Sequence, residues 1–76
     1  MFRADKQLDR AREEFETAVR LNPQNSKAHG NLGFIFASVG QFELAEQHLR
    51  MAIQLNPNDT LAMQLLNQIM AEKGNK

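Results

Sequence analysis

The sequence predicts an all-α protein made of antiparallel helix-turn-helix repeats, and three observations predict it. Shifting the 76-residue chain by 34 residues lays Leu21-Asn22-Pro23 on Leu55-Asn56-Pro57. In that register size is matched along both helices of the unit. Leu8 meets Phe42, Ala11 meets Ala45, Phe15 meets Leu49, Ala18 meets Ala52 and Val19 meets Ile53; further on, Ala28 meets Ala62, Leu32 meets Leu66, Ile35 meets Ile69 and Gly40 meets Gly74. Between these landmarks the apolar residues recur at helical spacing, and the prolines and glycines fall where helices must stop.

Four helices follow, at about 4–21, 26–39, 42–55 and 60–73. The first sets Leu8, Ala11, Phe15 and Ala18 against a mixed-charge face on which Arg10 with Glu14, Arg12 with Glu16, and Glu16 with Arg20 are spaced i,i+4, as on a solvated helix. It ends before Pro23, which lacks the amide a helix interior needs and pushes Asn22 out of the α region. Ser26 is expected to cap the second helix, and Gly40 to close it after Val39 in the left-handed conformation. That helix carries Ala28, Leu32, Ile35 and Val39 on one stripe and His29, Leu32, Gly33 and Phe36 on the next, so it should lie between neighbours. The third carries Phe42, Ala45, Leu49 and Ala52, with Leu44, His48, Met51 and Leu55 alongside. Small Gly33 and Ala45 should let the second and third helices approach closely. Pro57 ends the third helix as Pro23 ends the first, and Asp59 or Thr60 is expected to cap the fourth.

Composition narrows the function. There is no Cys, so no disulfide framework and no thiolate metal site. Mean hydropathy is −0.51 and no window offers the roughly 18 apolar residues of a membrane span. Nine Lys plus Arg balance nine Asp plus Glu, so neither nucleic acid nor a membrane surface is an expected partner. The start has no apolar stretch after its basic residues and meets Asp5, so no secretory signal is read there, and the cytoplasm is the default location. A chain this short buries only about 60% of its unfolded surface, which leaves a marginal core unless a partner adds to it.

No catalytic constellation is visible. His29 and His48, on different helices, have no metal-ligating partner one turn away, so both are expected to pack or to face solvent, with no metal bound. Ser26 and Ser38 lack a triad order, and Gly30, Gly33, Gly40 and Gly74 fall at helix-packing and helix-end positions where no phosphate loop forms. The chain is expected to be no enzyme and to need no cofactor.

Residues 26–59 resemble one unit of the tetratricopeptide repeat family, whose spacing is W-x2-L-G-x2-Y, then A-x3-F, then P. Leu32-Gly33 stand in the Leu-Gly slots, Phe36 in the Tyr slot, and Ala45, Leu49, Ala52 and Pro57 follow in order; His29 in the Trp slot is the departure. Leu8, Ala11, Phe15, Ala18 and Pro23 resemble the second helix of a preceding unit, and Ala62, Met63, Leu66, Met70 and Gly74 the first helix of a following one. The resemblance implies a right-handed α-solenoid in a single domain, with one complete repeat (26–59) flanked by halves at 1–25 and 60–76. Phe2 would be left over from the helix before, and the first helix would run through Lys6, the slot of the Gly40 turn.

The resemblance further implies a protein-protein interaction module whose groove holds a partner's peptide. Carried over, the groove face is Lys27, Gly30, Asn31, Phe34, Ala37 and Ser38, then Leu61, Gln64, Gln68, Ala71 and Glu72. Of the slots that clamp a terminal carboxylate in some members only Asn31 matches, and Gly30, Leu61 and Leu65 replace the cations, so a partly apolar ligand is expected. The alternative function is self-assembly. In the family's phase Leu8, Ala11 and Phe15 face a first helix, and Met63 and Met70 face a second helix, that this chain does not contain. Copies could cover those stripes as a homodimer or higher homo-oligomer. Asn67, in a slot where the family has Gly, opposes head-to-tail stacking. Two-fold pairing through Leu8 and Phe15, or helix exchange by opening the Ser38–Gln41 turn, is therefore expected instead.

Overall fold

A computed structural model describes residues 6–74, which form four α-helices: α1 (Lys6–Leu21), α2 (Ser26–Ser38), α3 (Phe42–Leu55) and α4 (Thr60–Gly74). The expected ends agree to within a residue apart from the first helix, whose positions 4 and 5 lie outside the described residues, as does Phe2. Lys6 is helical, so α1 includes the position at which Gly40 turns the chain one period later.

The period is visible in the hydrogen bonds of the two inter-unit turns. After α1, the Asn22 amide donates to Ala18 O at 2.9 Å, Asn22 Oδ1 accepts from the Gln24 amide at 3.2 Å, and the Asn25 amide donates to Asn22 O at 3.0 Å. After α3 the same three bonds join Asn56 to Ala52 at 2.8 Å, Asn58 to Asn56 Oδ1 at 3.3 Å, and Asp59 to Asn56 O at 3.0 Å. Each asparagine side chain thus closes a local turn around the proline. The helix caps repeat as well. Asn25 Oδ1 accepts from the Ala28 amide and Asp59 Oδ1 from the Ala62 amide, both at 3.1 Å. Asp59 meets expectation. Ser26 does not cap α2: it is the first helical residue, and the extended backbone of Asn25 puts the asparagine oxygen over the free amides instead.

The turn inside the central unit is of another kind. Gly40 has φ +82°, its amide donates to Ala37 O at 3.1 Å, and the Gln41 amide donates to Phe36 O at 2.9 Å. These two bonds satisfy the last carbonyls of α2 and reverse the chain into α3.

Packing places the helices in two layers, α2 beside α4 and α1 with α3 behind them, with a smallest extent of 16 Å. α2 touches the other three helices, as its double stripe requires, and buries Ala28, His29, Leu32, Gly33, Ile35 and Phe36. Leu32, Phe36, Ala45, Leu49, Ala52, Ala62 and Ile69 make the core, with Phe15, Val19, Phe42, Ile53, Leu65 and Leu66 against its edge. A β-carbon on Gly33 would stand 2.6 Å from Leu49 Cγ and 3.3 Å from the carbonyl oxygen of Ala45, so the close α2–α3 crossing depends on its absence. On the first stripe of α3 Ala45, Leu49 and Ala52 are buried and Phe42 is half-buried; on the second, Leu44 and Met51 are exposed while His48 and Leu55 are half-buried. Glu46, at the edge between α3 and α4, accepts from Arg50 at 2.7 Å and from Lys73 at 2.8 Å, tying the two helices together. Of the pairs expected on α1, Arg12 with Glu16 forms at 3.2 Å.

Candidate functional site

Because α2 and α4 both follow an Asx-capped turn and both lean on α3, they run side by side and leave a trough between them. One hollow of about 460 Å³ is lined by Lys27, Gly30, Asn31, Phe34, Asp59, Leu61, Ala62 and Leu65. A second, of about 430 Å³, is lined by Ala37, Phe42, Leu65, Gln68, Ile69, Ala71 and Glu72. Leu65 lines both, at the place where the two hollows adjoin. Its walls are mostly apolar, and Phe34 and Leu61 stand 55% and 69% exposed on them. The missing side chain of Gly30 brings the α3–α4 turn in close, with Asp59 Oδ2 3.6 Å from where a β-carbon would be. Lys27 and Asp59 put opposite charges at one end, and Glu72 stands at the other.

Nine of the eleven residues carried over from the family pattern line this trough. Ser38 and Gln64 line neither hollow; Ser38 turns its hydroxyl back to Phe34 O at 2.9 Å. Asp59, Ala62 and Leu65 line the first hollow beyond the expected set, which counted only outward positions of the two helices and not the turn between α3 and α4.

The stripes assigned to self-association are less alike. Met63 and Met70 are 37% and 48% exposed on α4, whereas Leu8, Ala11 and Phe15 are half-buried. Phe15 packs on the chain's own core, and Leu8 lines a hollow of about 410 Å³ with Arg12, Glu16, Ile35, Phe36, Val39 and Leu44 between α1, α2 and α3.

Behind the trough the two histidines meet. His29, only 8% exposed, brings Nε2 to Pro23 O at 2.9 Å and Nδ1 to His48 Nδ1 at 3.1 Å. The rings are 5.3 Å apart, and His48 stacks on Phe36 at 5.6 Å and 16°. Burial pushes the His48 imidazole below its ordinary value, the charge of His29 adds to that, and the Glu16 carboxylate acts the other way. Both histidines were expected to pack or to face solvent, and their pairing is not visible along either helix taken alone. The clue was the hairpin: residues nearly equidistant from Val39 lie opposite one another, Gly33 with Ala45 and His29 with His48. Among the described residues no three His, Cys, Asp or Glu side chains are grouped to hold a metal ion, and no helix is long and apolar enough to cross a membrane.

The fold is that of a helical repeat protein with a trough on one layer, and comparison with known proteins agrees. The tetratricopeptide repeat model matches residues 2–69, and the chain belongs to that family. It is 31% identical over 68 residues to human tetratricopeptide repeat protein 7B, which covers 90% of this chain and 8% of that protein. It is 24% identical over 66 residues to anaphase-promoting complex subunit 3 of Schizosaccharomyces pombe, covering 87% of the chain and 10% of the subunit. It is 26% identical over 58 residues to protein bimA of Emericella nidulans, covering 76% of the chain and 7% of that protein. The chain therefore spans a tenth or less of the length of these relatives. No solved structure matches it.

Proposed function

We propose that the chain is a non-enzymatic interaction module that holds a partner's peptide segment, extended or helical, across Phe34, Ala37 and Leu61. The observation that carries this is the pair of large apolar side chains left uncovered in the trough, flanked by Lys27, Asn31 and Glu72. Residues 26–59 are read as the complete repeat, with 1–25 and 60–76 as flanking halves. One relative is by its name a subunit of a complex, and a scaffold within an assembly is the broader form of the same reading.

A displayed library of 12-residue peptides is the probe. A selected peptide should shift the amide resonances of α2 and α4 and leave those of the outer face of α1 unmoved. Phe34→Ala should weaken that peptide about tenfold or more, the scale of losing a buried aromatic anchor, with helix content kept. Glu13→Ala should bind as the parent does. Equal binding by both variants would show the trough assignment to be wrong. A second reading, self-association through α4, is favoured by the exposed thioethers of Met63 and Met70. Light scattering across a concentration series separates the two, since a groove module without its peptide keeps the mass of one chain.

A further inference from the structure

We propose that His29 and His48 form a proton-operated latch between the α1–α2 turn, the start of α2 and α3, a latch that stays closed with one added proton and opens on the second. The carbonyl of Pro23 can only accept, so His29 Nε2 carries a hydrogen. In the neutral pair His29 Nδ1 is then bare and accepts from Nδ1–H of His48. One added proton can sit on either ring and still leave a single hydrogen between the two Nδ1 atoms, now as a stronger charge-assisted bond. A second leaves an N–H on both. Two donors 3.1 Å apart have no acceptor between them, and two like charges face each other.

The surroundings can offset one charge but not two. From α1 the Glu16 carboxylate faces the pair, and it is itself bound to Arg12 at 3.2 Å. From α4 comes Lys73, spent on Glu46, which lies two residues from His48 and so on the far side of α3. His29 is enclosed and held at both nitrogens, so the ring free to leave is the half-buried His48, and its departure gives up the stacking on Phe36.

The direction of the pH effect follows. His48 sits below its ordinary value in the fold, so below about pH 6.5 the unfolded chain binds more protons than the folded one. The stability that depends on keeping the second proton off the pair is present above that pH and is lost as pH falls through the lowered folded value. This proposal stands whether or not the trough binds peptide.

The test pairs urea unfolding between pH 7.5 and 5.0 with nitrogen-15 NMR of the imidazole rings in the same full chain. For the wild type, the folding constant should fall by up to about tenfold per pH unit below 6.5 for each excess proton taken up on unfolding. In His48→Gln, whose amide can donate to His29 Nδ1 without titrating, most of that slope should vanish. At pH 7.5 the spectra should show hydrogen on His29 Nε2 and His48 Nδ1, and acidification should bring in the two protons in separate steps. Equal slopes for the two proteins, or two rings titrating independently, would overturn the latch. If His48→Gln does not fold, the wild-type ring titration decides alone.

Discussion

Leu49 is fully buried and has Ala45 and Ala52 at its sides, so it cannot swing away from a methyl group placed on Gly33. Gly33→Ala should therefore force the helices apart or Leu49 off its rotamer, at about 1–3 kcal/mol, the usual scale of overpacking. In a chain of this size that is a fall in melting temperature of about 4–8 °C for each kcal/mol, readable by circular dichroism. An unchanged midpoint would mean that the crossing has slack. Gly33 and Ala45 were legible because a close crossing needs small residues and little else. His29 and His48 were not, because a hydrogen bond between side chains nineteen positions apart depends on ring orientation, which no period records.

At the scale of the element, the helix ends are set by short side chains acting on nearby amides. Asn25→Ala and Asp59→Ala should each cost about 1 kcal/mol by urea unfolding, and Asn25→Ser should recover most of the loss. Ser26→Ala should change little, since the Ser26 hydroxyl does not cap α2. Helix positions were legible from proline, glycine and the 34-residue register; which of two adjacent polar residues caps was not, because that turns on the backbone angle of a single residue. The double stripe of α2 was read correctly, as α1, α3 and α4 all pack on it. Which stripe of α3 a neighbour covers was not legible, because an apolar periodicity shows a face that can be buried without showing whether a neighbour reaches it.

Across the whole molecule the helices are unequally held. α2 and α3 carry most of the buried residues, whereas α1 packs against α2 and α4 chiefly against α3. In repeat architectures stability is nearly a sum of units and their neighbour contacts, so opening should begin at the ends. Amide hydrogen exchange should be slowest in α2 and α3 and faster in α1 and α4. Lys73→Ala should speed exchange in α4 while leaving α1 as it was, because it removes the tie to Glu46. The hydrogen bonds from Lys73 and then Arg50 hold the Glu46 carboxyl below its ordinary value, so their contribution is present above the ordinary carboxylate range and fades as acid protonates the group. Uniform protection along the chain would mean one all-or-none unit. At this scale the trough itself was legible as a face of two like-placed helices; the share contributed by Asp59 was not, since it comes from the turn.

The matching bonds around Asn22 and Asn56 have a consequence for how such a chain can be lengthened or shortened. Each joint repeats the same three bonds within about six residues, so it behaves as a coupling of fixed angle, and at the first of them His29 adds a bond to Pro23 O. Curvature is then a local property, copied from joint to joint. Modules spliced at Leu21–Ser26 or Leu55–Thr60 would inherit the same offset, and the length of the receiving surface would scale with their number.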